Sequence, residues 1–120
     1  MEDIRLGEVE SRFADIVWEN APIPSGKLVA LCHEKLGWKK STTYTVLKKL
    51  CERGLFKNAG GEVSVLITRN EYYSMKSEMF VMDSFDGSLP AFIAAFTSRK
   101  KLSDEDIAEI KRMIEGGGDR

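Results

Sequence analysis

Between Trp38 and Leu55 the chain reads Trp-Lys-Lys-Ser-Thr-Thr-Tyr-Thr-Val-Leu-Lys-Lys-Leu-Cys-Glu-Arg-Gly-Leu, a run of hydroxyls enclosed by cations. From Lys39 to Lys57 there are six basic residues (Lys39, Lys40, Lys48, Lys49, Arg53, Lys57) against one acid, Glu52, or +5 within a chain whose total is -1. Cations in this number suit phosphates, which are held by charge and give affinity that falls with salt. Short hydroxyl side chains suit base edges, because they donate and accept within the width of a major groove. Ser41, Thr42, Tyr44 and Thr45 are therefore the candidate DNA contacts of one helix's first turns. Lys39, Lys40, Lys48 and Lys49 are its phosphate clamps. Lys57 and the bare Gly60 follow as contacts from a neighbouring turn. Ser and Thr also cap helices for purely structural reasons, and a basic face can be no more than a solvated one.

No other chemistry is supported by residue type and spacing. No nucleophile stands beside a base, no glycine-rich phosphate loop is present, and no carboxylate pair sits in a motif, so no catalytic residues are expected. His33 is the only histidine, and with Cys32 and Cys51 on different helices it makes a poor metal site; no metal or cofactor is expected. The two cysteines read as a buried, reduced pair.

The elements that must place these residues can be read from periodicity. Leu6 to Asn20 is a helix with Leu6, Val9, Phe13, Ile16 and Val17 on one face, extended by Trp18. Ala21-Pro22-Ile23-Pro24 ends it, since proline removes a donor and disfavours helix before it. Ser25 is the expected N-cap of a second helix to about Lys35, closed by Gly37. The third runs from about Ser41 to Arg53, with Thr43, Val46, Leu47, Leu50 and Cys51 inward and Gly54 as its C-terminal cap. Leu55–Asn58 and Glu62–Ile67 read as two strands around a Gly60-Gly61 turn. The fold class is mostly α with a small β-hairpin, a winged helix-turn-helix followed by a helical dimerisation domain.

Composition changes after Ile67. Residues 1–69 carry 11 basic and 9 acidic side chains, whereas residues 70–120 carry 7 and 10. Three helices are expected: Arg69 to Phe85 with Tyr72, Met75, Met79 and Met82 in a stripe, Leu89 to Phe96 with Leu89, Phe92, Ile93 and Phe96, and a last one capped by Ser103 with Ile107, Ile110 and Ile114. Some fifty residues cannot bury such faces alone, so these residues are assigned to a homodimer interface, with 1–69 as the DNA-binding domain and 70–120 as the dimerisation domain. The same stripe also leaves open a pocket for a small apolar effector. No apolar run approaches ~20 residues, so no membrane insertion is expected. The acidic start at Met1 lacks a signal peptide's apolar core, which points to a cytoplasmic protein. The tail from Gly116 to Arg120 is expected to be disordered.

The chain resembles the penicillinase-repressor family of winged-helix transcriptional repressors (the BlaI/MecI/CopY group) over nearly its whole length. Leu6-Gly-Glu-Val-Glu through Ile16-Val17-Trp18 is similar to the family's opening. Trp38 to Leu50 is similar to its recognition helix at Ser41, Thr42, Tyr44, Thr45 and Leu50, and Arg53-Gly54-Leu55 to its exit into the wing. The resemblance implies a homodimer that binds a palindromic double-stranded operator and blocks transcription. It also implies relief by proteolysis in the dimerisation region, set off by a membrane sensor protease in relatives tied to antibiotic resistance. The cleaved bond would fall between Ala95 and Phe96, where Ala95 replaces the family's usual Asn. No cysteine follows Cys51, which sets the chain apart from copper-responsive relatives. Control by a small ligand or partner protein remains an alternative, as does a protein-interaction module that does not use DNA.

Overall fold

A computed structural model of the chain describes residues 5–117. The elements are α1 (Glu8–Asn20), β1 (Ile23–Pro24), α2 (Ser25–Leu36), α3 (Lys40–Glu52), β2 (Phe56–Ala59), β3 (Glu62–Val65), α4 (Arg69–Phe85), α5 (Leu89–Arg99) and α6 (Asp104–Gly117). The chain divides into two compact units between Ser77 and Glu78, inside α4.

The first unit is a winged helix-turn-helix. Phe13, Ala14, Ile16 and Val17 of α1, Leu28 and Cys32 of α2, and Leu47 and Leu50 of α3 are buried together with Leu55, Phe56 and Val63 of the hairpin. α1 starts at Gly7, whose N–H donates to the Glu10 carboxylate at 3.0 Å, so a first-turn acid satisfies a backbone donor and complements the helix dipole. Val9 was expected inward but is 56% exposed. The periodicity identifies the face, not how far its packing partner extends, and burial begins at Phe13.

Gly37 ends α2 in the left-handed region at φ 69°, its N–H directed at the Cys32 and His33 carbonyls, and this turn lays Trp38 on Phe13 at 5.7 Å between ring centroids. Pro24 occupies the N-cap of α2 in place of the expected Ser25, because Ile23–Pro24 pairs with the hairpin as a third strand. The sheet order is β1-β3-β2, all antiparallel, with Ile23 opposite Val63 and Asn58 opposite Val63 from the other side. Pro24 is tolerated there because β1 is an edge strand. Gly60 and Gly61 take φ of 61° and 78°, the pair of positive values that a tight two-residue hairpin turn needs.

α4 opens with a reciprocal capping box: Thr68 N–H donates to Glu71 Oε1 at 2.9 Å and Glu71 N–H donates to Thr68 Oγ1 at 3.1 Å. Its first turn is anchored to α1. Trp18 Nε1–H donates to the Ile67 carbonyl at 2.9 Å, and Arg69 reaches Asp15 at 3.1 Å and Glu19 at 3.3 Å while lying over the Trp18 ring. Tyr72 packs on Trp18 at 5.5 Å and its hydroxyl accepts the Leu6 N–H at 3.0 Å.

The second unit holds the rest of α4 with α5 and α6. Phe80, Phe85 and Phe92 meet edge-on with centroids 5.7 to 6.0 Å apart, and Phe96 adds to Phe92 at 6.2 Å. Ser88 caps α5 by accepting the Ala91 N–H, and Ser103 caps α6 by accepting the Asp106 N–H. α5 continues to Arg99, three residues past the expected end. α6 takes in Gly116 and Gly117 of the tail expected to be disordered; residues 118–120 lie outside the described residues, as does most of the acidic start. Among the described residues no single helix is long and apolar enough to cross a membrane.

Candidate nucleic-acid interface

α3 presents one buried and one open face. Thr43, Leu47 and Leu50 are buried, whereas Lys40, Ser41, Thr42, Thr45, Lys48 and Lys49 are exposed. Thr43 is a hydroxyl inside the core and donates to the Lys39 carbonyl at 3.3 Å, so its burial leaves nothing unsatisfied. It also bonds the Cys32 thiol, which burial nonetheless pushes above the ordinary cysteine range.

The helix starts at Lys40, one residue earlier than expected, with Lys39 as its N-cap and no acid in the first turn. The leading backbone N–H groups of a helix lack intrahelical partners, and the dipole there favours an anion. Lys39, Lys40, Ser41 and Thr42 surround that end and are all exposed. No carboxylate among the described residues pairs with Lys39, Lys40 or Lys48. Each ammonium therefore faces solvent with its charge uncompensated.

The other two candidate hydroxyls are partly committed to the scaffold. Tyr44 is half-buried and donates to Ser25 Oγ at 3.0 Å, which ties α3 to the start of α2. Thr45 donates back to the Ser41 carbonyl at 2.9 Å and keeps its acceptor lone pairs and methyl outward. The wing is fixed to the same point, because Ser25 N–H donates to the Gly61 carbonyl at 2.8 Å. One serine thus relates α3, the start of α2 and the hairpin tip.

Lys57 is exposed on β2 and Gly60 is exposed at the tip, where nothing lies within 4 Å of an added Cβ. Between α3 and β2 runs a cleft of about 390 Å³ lined by Tyr44, Leu47, Lys48, Cys51 and Asn58. Cys51 is half-buried there, not fully buried as expected. Burial pushes its thiol up, the Asn58 backbone N–H draws it down, and the Glu52 charge adds to the rise.

Lys49 and Arg53 are arranged differently. Lys49 Nζ lies 2.8 Å from Glu10 Oε2, and Arg53 Nη1 lies 3.3 Å from Glu10 Oε1. Arg53 also donates to the Arg5 carbonyl at 2.6 Å. The Lys49 hydrogen bond, then the Gly7 N–H and the two positive charges, hold the Glu10 carboxyl below its ordinary range against an opposing effect of burial. Sequence reading missed Glu10 because its only local signal is that of a capping residue, and its partners lie about forty positions away.

The residues assigned to self-association fall into two groups. Tyr72 is 0% exposed within the first unit, so it has no surface to offer a second copy; its place in the methionine stripe reflects helical spacing, while Trp18 and Leu6 cover it. After Tyr72 no described residue is buried. Met75 and Met79 are half-buried, and so are Phe92 and Ile110. Met82, Leu89, Ile93, Phe96, Ile107 and Ile114 are exposed, Ile114 by 66%. α5 and α6 enclose a cleft of about 380 Å³ lined by aliphatic side chains, among them Leu89, Ile93, Ile107 and Ile110. Ala95 and Phe96 lie inside α5, with Ser98 Oγ donating to the Ala95 carbonyl at 2.7 Å.

Residues 6–116 match the model of the family described as Penicillinase repressor. The chain is also similar to the penicillinase repressor of Bacillus licheniformis, at 24% identity over 115 residues that cover 92% of this chain and 90% of the relative.

Proposed function

The chain belongs to the penicillinase repressor family of transcriptional repressors, and on that footing we propose that it is a homodimer that binds a palindromic operator and occludes a promoter. The observation that carries this reading is the open face of α3, where Lys39, Lys40 and Lys48 stand without a pairing acid around an N-terminus that itself attracts anions. Ser41, Thr42 and Thr45 face base edges in the major groove, Tyr44 sets the angle of the helix, and the lysines hold phosphates. Lys57 and Gly60 lie along the backbone beside it, where a glycine tip permits close approach. A protein working on DNA in this way acts in the cytoplasm of a bacterium.

The second copy covers the apolar side chains from Met75 to Ile114, whose exposure is more than a solvated surface tolerates. The DNA-binding part, residues 1–69, and the dimerising part, residues 70–120, then have separate tasks. Two copies of α3 related by a two-fold axis read half-sites about one helical turn, or a multiple of it, apart. Relief comes from cutting between Ala95 and Phe96 after a membrane sensor protease signals. That bond sits within a helix, so α5 must unwind locally before a protease can engage it. Once cut, each module binds alone and loses the effective concentration its partner supplied. The ligand-controlled alternative is favoured by one observation, the aliphatic cleft of α5 and α6.

Fluorescence anisotropy with a duplex from the chain's own promoter and a scrambled duplex, each at two salt concentrations, tests the reading. The expected result is tighter binding to the promoter, two protomers per site, and affinity that falls with salt on both. No binding to either duplex in dilute buffer refutes it.

A further inference from the structure

We propose that Glu10 sets the strength and salt dependence of DNA binding: fixed by Gly7 and Arg53, it holds Lys49 back on α1 and so limits the charge-driven affinity of α3 for any duplex. The inference rests on the assignment of α3 to DNA and goes beyond it. Lys49 occupies the row of the helix that carries Thr42 and Thr45, seven and four residues before it, so its Cβ is directed toward the proposed groove face. Its ammonium is nevertheless turned onto Glu10 Oε2 at 2.8 Å, although the side chain is 61% exposed and has open solvent around it. Lys48, its neighbour, has no such partner among the described residues.

The carboxylate is suited to the task. Oε1 is already held by the Gly7 N–H at 3.0 Å and by Arg53 at 3.3 Å, which aims Oε2 at Lys49. Glu10 is itself only 18% exposed, so water screens it less than it would a surface acid. A phosphate competing for Lys49 must displace a preorganised partner. Non-specific binding comes almost wholly from such contacts, while base readout does not use them. Holding back Lys49 in each protomer therefore lowers affinity for every duplex by the same factor and flattens its salt dependence, which leaves discrimination between sequences to the base contacts.

The test is Glu10→Gln. The amide oxygen still accepts the Gly7 N–H, so the cap survives and only the charge is lost. Affinity for a scrambled duplex is expected to rise several-fold, and the slope of log affinity against log salt to steepen by about 0.9 for each protomer as Lys49 joins a phosphate. Affinity for the promoter duplex rises by the same factor. Adding Lys49→Gln to the variant cancels the gain, and Glu10→Asp, which keeps the charge, shows none. A merely structural ion pair would change the melting temperature and leave the salt slope alone. Should Glu10→Gln not fold, the comparison passes to the lysines: Lys49→Gln costs less affinity than Lys48→Gln. An unchanged slope in Glu10→Gln, or equal losses in the two lysine variants, overturns the inference. A Lys48→Gln protein with no loss at all refutes the assignment of α3 instead.

Discussion

Replacing Lys48 by Ala separates phosphate clamping from every other role of α3. The side chain is exposed, pairs with no carboxylate among the described residues, and stands beside the cleft that α3 forms with β2, so its loss removes charge without opening the core. Each phosphate contact contributes about 0.9 to the salt slope, and a dimer has two copies of Lys48, so the slope is expected to fall by about 1.8. Over a fourfold rise in salt, from about 50 to about 200 mM, that difference amounts to roughly a twelvefold change in how much affinity is lost. The effect should be the same on promoter and scrambled duplexes, because a phosphate carries no sequence information. The assay is anisotropy at four or five salt concentrations, with the far-ultraviolet spectrum and melting temperature checked against the parent. A Lys48→Ala protein that keeps its salt slope, or loses affinity on the promoter alone, refutes the argument that this face meets the backbone.

Other perturbations have equally definite outcomes. Ile93→Asp places a carboxylate on the exposed apolar face of α5, and sedimentation should show a folded monomer with much weaker promoter binding. Tyr72→Phe removes the acceptor of the Leu6 N–H and should cost about 1 kcal/mol of stability, read by denaturant titration, with no change in self-association. Dissociation instead would restore Tyr72 to the dimer face. Glu10 has a folded pKa below its ordinary 4.5, so its stabilisation is present in full above that value and is lost as pH falls through the lower folded one. Glu10→Gln should remove this part of the acid-side decline in melting temperature, and an identical decline in both proteins contradicts the pairing.

The basic, hydroxyl-rich third helix was legible because its information is local. Lysines and hydroxyls crowd one 13-residue helix, and helical spacing alone separates Thr43, Leu47 and Leu50 from Ser41, Thr45 and Lys48. The turn at Gly60-Gly61 was legible for the same reason, since two adjacent glycines permit the positive φ pair at no steric cost. Features that depend on distant partners were not. β1 is only two residues long and contains a proline, so nothing in Ile23–Pro24 announces a strand until β3 is there to pair with it. Tyr72 shares a stripe with Met75 and Met79, but α4 runs from one unit into the other, and its single face therefore has two different surroundings. The Glu10 clamp joins positions 10, 49 and 53, and no sequence window contains all three.

Hydrogen exchange with and without a promoter duplex tests the central assignment most directly, because it reports on α3 in the unmodified protein. Slower exchange on DNA is expected across residues 39–45 and at the hairpin tip around Gly60, with α5 and α6 unchanged. Protection confined to α5 and α6, or none in α3 at a DNA concentration that saturates binding, would contradict it.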